Sequence, residues 1–245
     1  MKRKRGTGRM LAGFLLLLQG GVALQAQYID LLWERIAHYP LEGDGTDVSG
    51  FGNDGTLVGC SPAADRQGAA ASALQFDGLG DYVACGVSLP RVRNRLTVSC
   101  WVLAGEQTRE SHLVSKYDFS ADAGFILSLQ DGKAAWGGRI GSGGYFKVGS
   151  PDRIDDGRWH HVAGIVDGPV WKLFVDGVEV GSLDTGYARS DLDCSAPLTL
   201  GRYQAGDLGD HRYFEGTLDD VILYRRALNA CEIEALAGDA LPPPR

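Results

Sequence analysis

The sequence predicts an all-β protein made of consecutive antiparallel hairpins, a sandwich or a barrel, ending in one short helix. Three observations predict it. Glycine supplies 35 of 245 residues, about 14% against a usual ~7%, spread between short apolar runs as turns between short strands require. Three Asp-Gly dipeptides, Asp131-Gly132, Asp167-Gly168 and Asp176-Gly177, each lie between apolar runs. Asp-Gly supplies the positive φ angles of a type I′ turn, whose twist matches that of antiparallel strands. Finally, no helical periodicity is sustained over several turns before the last twenty residues.

Taken in order, residues 1–26 read as a secretory signal. Lys2, Arg3, Lys4, Arg5 and Arg9 precede an apolar run, Met10 to Leu18, and small and polar residues follow to Ala26. The run is shorter than the ~20 residues a spanning helix needs. The expectation is therefore cleavage after Ala23 or Ala26, with no membrane span thereafter and a secreted, periplasmic or cell-surface location. Residues 27–36 read as a linker or short helix, and 37–238 as the folded domain. In it, Phe125–Gln130 turns into Lys133–Trp136, His161–Val166 into Val170–Val175, and that strand into Val178–Leu183. Phe214–Tyr224 reads as one long strand. Asn229 is a good N-cap, Glu232 completes a capping box, and Leu228 with Ile233 makes a hydrophobic staple, so a helix is expected over 230–237, stopping near Gly238. Residues 239–245 are a Pro-rich tail that cannot continue it.

Loss of the five basic residues of 1–26 leaves 19 Lys and Arg against 31 Asp and Glu, a net charge of −12. Such a chain, without a basic stripe, is a poor partner for nucleic acid. Five cysteines are present, none at zinc-knuckle spacing. Export permits disulfides, but an odd count leaves at least one thiol over. Cys100, inside the apolar strand Leu96–Val102, is expected to be the buried free one. Cys60, Cys85, Cys194 and Cys231 allow three pairings, among which sequence does not choose.

Several segments resemble one family in the right order. They are Ala37–Gly50 followed by Gly52-Asn53-Asp54-Gly55-Thr56-Leu57; Ala73–Gly78 with Asp81-Tyr82-Val83; Leu96–Val102; Trp159–Ala163 with Leu173–Gly177; and Phe214–Val221 with Tyr224–Leu228 and Glu232-Ile233. The family is the laminin-G-like group of concanavalin A-like lectin/glucanase domains. The resemblance spans about 37–237. It implies a two-sheet antiparallel jelly-roll sandwich and a role in glycan binding, adhesion or assistance to an enzyme. It also implies a structural Ca²⁺ between the first loop and the last long strand, held by Asp47, an oxygen near Asn53 or Gly55, and Asp219. Asp44–Gly55 is rich in oxygen ligands and glycine, as calcium requires, although the same composition builds ordinary Asx turns.

The remaining chemistry is sparse. Asp77 and Asp81 flank a turn and read as turn caps. His160 and His161 are adjacent on a strand and point to opposite faces, so they cannot chelate one ion; one is expected buried and hydrogen-bonded, the other on the outer surface. A glycosidase of this fold needs two carboxylates facing across a cleft. Glu232 and Glu234 fall at the helix start, and Glu106 and Glu110 in a loop. No catalytic residues are assigned. Sugar binding uses exposed aromatics. Tyr117, Phe119, Tyr145, Phe146, Tyr187, Tyr203 and Tyr213 are available in loop-like segments, with Tyr145, Phe146 and Tyr203 (near Asp207) the first choices. Trp101, Trp159 and Trp171 read as core. The sequence thus points to a secreted, non-catalytic carbohydrate-binding or adhesion module stabilised by calcium, with a glycan or an extracellular or surface protein as partner. The alternatives are a structural or protein-binding surface component, and a glycan hydrolase or lyase of the same fold.

Overall fold

A computed structural model describes residues 30–86, 89, 91–118, 123–140, 144–187, 192–203 and 212–238. The expected signal 1–26, the tail 239–245, Phe119 and Asp207 lie outside the described residues. Alternating apolar residues and tight turns fold the chain into two antiparallel sheets, a jelly-roll sandwich with one helix. The eight-stranded sheet runs β13 (Val178–Asp184), β12 (Val170–Val175), β11 (Trp159–Asp167), β6 (Arg95–Leu103), β15 (Glu215–Tyr224), β4 (Ala73–Asp77), β3 (Ser61–Ala63). β1 (Arg35–Tyr39) pairs the distal half of β15, on the edge that β4 pairs at its start. The seven-stranded sheet runs β10 (Tyr145–Arg153), β9 (Lys133–Arg139), β8 (Ala123–Gln130), β7 (Ser111–Asp118), β14 (Thr199–Leu200), β5 (Tyr82–Ala84), β2 (Thr56–Val58).

Two of the three Asp-Gly turns form as read: Asp131 and Gly132, and Asp176 and Gly177, all have positive φ between paired residues Gln130↔Lys133 and Val175↔Val178. The third is shifted by one residue. Asp167 stays in β11, paired with Val170, and the turn is Gly168-Pro169, with Gly168 at φ +61°. A glycine first and a proline second fit a type II′ turn, because proline's φ is fixed near −65° and cannot be positive.

Between the sheets lies one apolar core. Trp136 and Trp171 are fully buried with ring centroids 5.5 Å apart, and Trp136 Nε1 donates to the Ile165 carbonyl at 3.1 Å. Cys100 is buried there, as expected. None of the five thiols is paired, against the expected disulfides. The other four occupy separate surroundings: the sulfurs of Cys60, Cys85 and Cys194 approach the carbonyls of Val58, Val83 and Lys116, and Cys231 is exposed on the helix.

The helix α1 (Ala230–Ala237) has the predicted Asn229 N-cap and Glu232 capping box. With Leu228, its Ile233 and Leu236 cover Ala163, Ile165, Phe174, Ile222 and Tyr224 on the outer face of the eight-stranded sheet. Of the expected linker 27–36, residues 30–36 are described, and they contain no helix. Residues 31–34 make a turn, Leu31 is buried in the same apolar group, and β1 begins at Arg35. Arg226 holds this turn by donating to the carbonyls of Trp33 and Asp30. Among the described residues no helix is long and apolar enough to cross a membrane.

Candidate functional site

The two sheets carry different chemistry on their outward faces. On the seven-stranded sheet, Phe125, Leu127, Leu129, Ala134 and Trp136 enter the core, so the alternate residues face out. Ile126, Tyr117 and Tyr203 form a separate apolar group there. Tyr117 is its centre: the Tyr145 ring stands edge-on to it at 6.3 Å, and Tyr203 lies 6.0 Å away. The His112 ring packs on the far side of Tyr203 at 5.3 Å. The Tyr117–Tyr145 and His112–Tyr203 contacts are edge-to-face and the Tyr117–Tyr203 contact is tilted, arrangements that aromatic quadrupoles favour over a face-to-face stack. Tyr145 is 44% exposed, whereas Tyr117 and Tyr203 are nearly buried.

Gly137 lies on β9 beneath the Tyr145 hydroxyl. A Cβ there would meet the Phe146 carbonyl at 2.7 Å and the Tyr145 hydroxyl at 3.0 Å, so the absence of a side chain is what lets the ring lie down. Beside the tyrosines, Glu110 pairs with Arg212 and stands 3.6 Å from His112 Nε2. Its interaction with His112, and the Arg212 charge, outweigh burial and hold its carboxyl below the usual range. The buried Tyr203 hydroxyl has no hydrogen-bond partner among the described residues.

The structure therefore brings together Tyr145 and Tyr203 of the expected ligand-binding residues and joins them through Tyr117, a strand residue. Phe146 is not part of this face. It alternates with Tyr145, packs against the core and meets Tyr187 at 5.7 Å. Glu110, His112 and Arg212 were not singled out as binding residues from the sequence. The signal available for the first two was Glu110 and His112 alternating at the start of β7.

The other face holds the acids. Between Asp219, opposite Trp101, and Ile222, opposite Ser99, β15 has one residue more than β6, and Asp220 adopts φ +44°. This bulge places Asp219 and Asp220 on the same side while Leu218 and Val221 both enter the core. Arg66 bridges the pair, Nη1 to Asp219 and Nη2 to Asp220 Oδ2 at 2.9 Å, and its guanidinium lies 4.9 Å from the Trp101 ring centroid. His38 Nε2 meets Asp220 Oδ1 at 3.0 Å. Burial, with the Asp220 charge, pushes Asp219 up to about 7 against the pull of Arg66. Burial also acts on Asp220, but His38 and Arg66 together hold it below its ordinary value. Trp101 is thus a partly exposed platform under Arg66, not core; Trp159 is also partly exposed, and Trp171 alone of the three is core.

The residues implied for calcium are not arranged to share an ion. The Asp47 carboxylate accepts from four donors: His38 N at 3.0 Å, Ser49 N at 2.9 Å, Ser49 Oγ at 2.8 Å and Asn53 N at 3.0 Å. The Asn53 amide donates to the Ile36 carbonyl and its own carbonyl accepts from the Tyr39 hydroxyl, while Gly55 N donates to Gly45. Asp219 belongs to Arg66. Among the described residues no three His, Cys, Asp or Glu side chains are grouped to hold a metal.

Two other expectations resolve at this stage. Asp77 Oδ1 accepts from the amides of Leu79, Gly80 and Asp81, a turn cap. Burial and bonding fall on different histidines than expected. His161 is buried but its Nδ1 has no hydrogen-bond partner among the described residues, and burial pulls it down to about 4. His160, partly exposed, lies between Asp176 at 2.7 Å and Asp156 at 3.1 Å. The reason is position in the strand: His161 lies opposite Trp101 and packs edge-on against its ring at 5.5 Å, while 160 is near the strand end beside two turns.

The family model described as the concanavalin A-like lectin/glucanases superfamily, laminin-G type, matches residues 77–234. No curated protein sequence matches significantly. Among solved structures, the binding domain of Paraclostridial Mosquitocidal Protein 1 is similar with TM-score 0.70 and 18% identity, covering 86% of this chain and 53% of that one. Domain 4 of AbnA, a GH43 extracellular arabinanase from Geobacillus stearothermophilus solved with arabinotriose, is similar with TM-score 0.64 and 24% identity, covering 83% of this chain and 98% of that one. Botulinum neurotoxin type C, whose cell entry is described as dependent upon interaction with two ganglioside molecules, is similar with TM-score 0.65 and 9% identity, covering 86% of this chain and 52% of that one. The chain spans about half the length of the two toxin chains.

Proposed function

The chain belongs to the concanavalin A-like lectin/glucanases superfamily, in its laminin-G type, and from that premise we propose that it is an exported, non-catalytic carbohydrate-binding module. Its glycan lies across the outer face of the seven-stranded sheet, stacked on Tyr145. The observation that carries this reading is the tyrosine row, in which buried Tyr117 and Tyr203 fix an exposed Tyr145 over the open floor at Gly137. An exposed ring held from beneath suits the apolar face of a sugar, and the partly exposed Glu110 and Arg212 beside it suit its hydroxyls, with buried His112 holding Glu110 in place. Support for the class comes from the arabinotriose bound to Domain 4 of AbnA and the gangliosides of the neurotoxin. Fold alone does not fix function; the aromatic face is the local argument. The two carboxylates a glycosidase sets across its substrate have their best counterpart in Asp219 and Asp220, which Arg66 joins on the opposite sheet. Export is supported by the basic, apolar and small-residue order of 1–26.

The test is a glycan array followed by titration calorimetry on the best hits, with Tyr145→Ala alongside. Binding that Tyr145→Ala weakens roughly tenfold, about 1.4 kcal/mol, at unchanged melting temperature supports the proposal. No binding to any arrayed glycan, or binding indifferent to Tyr145, overturns it in favour of a structural or protein-binding component.

A further inference from the structure

We infer that Arg66 is the resident cation of this domain, its guanidinium taking, from within the chain, the part that the family resemblance gives to a bound calcium ion. The argument begins with the bulge in β15. One extra residue puts two carboxylates side by side on one face, and their side chains are only 4% and 18% exposed. Two neighbouring, desolvated carboxyls stay ionised together only beside a counter-charge.

The chain provides one by a short turn. Asp65 Oδ1 accepts from the amides of Gln67 and Ala69, at 2.8 and 2.7 Å, and Gly68 N donates to the Asp65 carbonyl. The turn therefore presents residue 66 from a fixed backbone. The Arg66 side chain is 12% exposed and its two Nη atoms reach one carboxylate each. A planar fork spans two separate anions in a way a single ammonium does not, and the Trp101 face beneath adds a cation–π contact.

The second half of the argument is how the first loop is tied to the last strand. An ion would do so by sharing ligands. Here His38 does it. Its backbone N–H donates to Asp47 of the loop and its Nε2 meets Asp220 of β15, while Arg35 Nη1 meets its Nδ1 at 3.0 Å. An ionised carboxylate offers about four acceptor positions, and four donors already fill Asp47. Calcium takes six to eight oxygen ligands, and this donor set does not fit it.

The test is thermal unfolding of the full chain in excess EDTA and in millimolar CaCl₂, for the native sequence, Arg66→Lys, Arg66→Gln, and Arg66→Gln combined with Asp219→Asn. The expected result is one melting temperature in both media for the native chain. Arg66→Gln falls by roughly 5 °C or more, Arg66→Lys falls by less, and Asp219→Asn restores part of the Arg66→Gln loss by removing a stranded charge. A native melting temperature that rises in CaCl₂ overturns the inference. So does an Arg66→Gln chain as stable as the native one, or a loss that Asp219→Asn does not relieve. If Arg66→Gln alone does not fold, the double variant decides: a folded double variant supports the inference, and an unfolded one overturns it.

Discussion

The outward faces of the two sheets differ in one physical respect. On the eight-stranded sheet the two central acids are met from within the chain: Arg66 bridges Asp219 and Asp220, and His38 Nε2 bonds Asp220. The side chains interlock and little of them reaches water. On the seven-stranded sheet the rings meet edge to face, and the outermost, Tyr145, keeps almost half its surface in solvent. The first face satisfies itself and the second leaves contact area over. Titratable groups alone draw the eye to Asp219 and its raised pKa, yet perturbed carboxyls mark structural ion networks as readily as sites. Open aromatic surface is the better guide here.

The largest expected effect separates stability from recognition. Arg66→Ala should cost about 3 kcal/mol, as stranding partly buried charges does, read as a lower urea midpoint, while the folded fraction binds the same glycans with unchanged Kd. A parallel loss of affinity would merge the two faces and break the comparison. Next, Tyr145→Ala should leave the urea midpoint in place and weaken the glycan roughly tenfold, about 1.4 kcal/mol. Gly137→Ala should sharpen the picture: the added methyl meets the Phe146 carbonyl and the Tyr145 hydroxyl, costing about 1 kcal/mol of stability and displacing the ring, so both calorimetric affinity and midpoint fall. An affinity kept intact would show that Tyr145 need not lie flat.

The smallest effect is one of pH. His160 sits between two carboxylates whose pull outweighs its burial, so its pKa is raised in the folded state above 6.5. A raised basic pKa gives stability that is fully present below 6.5 and is lost as pH rises through the folded value. His160→Asn should flatten that decline, by less than about 1 kcal/mol for so accessible a pair. Urea midpoints from pH 5 to pH 9 would measure it, and an unchanged slope would remove His160 as its source.

What the sequence disclosed follows the range of the interaction involved. The helix was legible because Asn229 and Glu232 are three residues apart and cap each other. The hairpins at Asp131-Gly132 and Asp176-Gly177 were legible for the same reason. At Asp167 the turn was read one residue early, because Pro169 was the stronger constraint and set the turn at Gly168-Pro169. Tyr145 and Tyr203 were visible as aromatics, yet their meeting depends on β7 lying between them, which only the strand order determines. The placing of Phe146 was available from period-two alternation, since adjacent strand residues cannot share a face. Arg66 and its acids are 153 and 154 residues apart, beyond any local pattern. The one trace is Asp219-Asp220 between Leu218 and Val221, where apolar alternation slips by one.

The strand order also has a kinetic meaning. β15 is the last strand made, yet it pairs with β6 on one side and with both β4 and β1 on the other. Three earlier strands must wait, edges unpaired, until residues 215–224 have emerged. Contacts of such long sequence separation slow folding. A chain stopped before Glu215 would therefore be held open, with β6, β4 and β1 lacking the strand that joins them into one sheet.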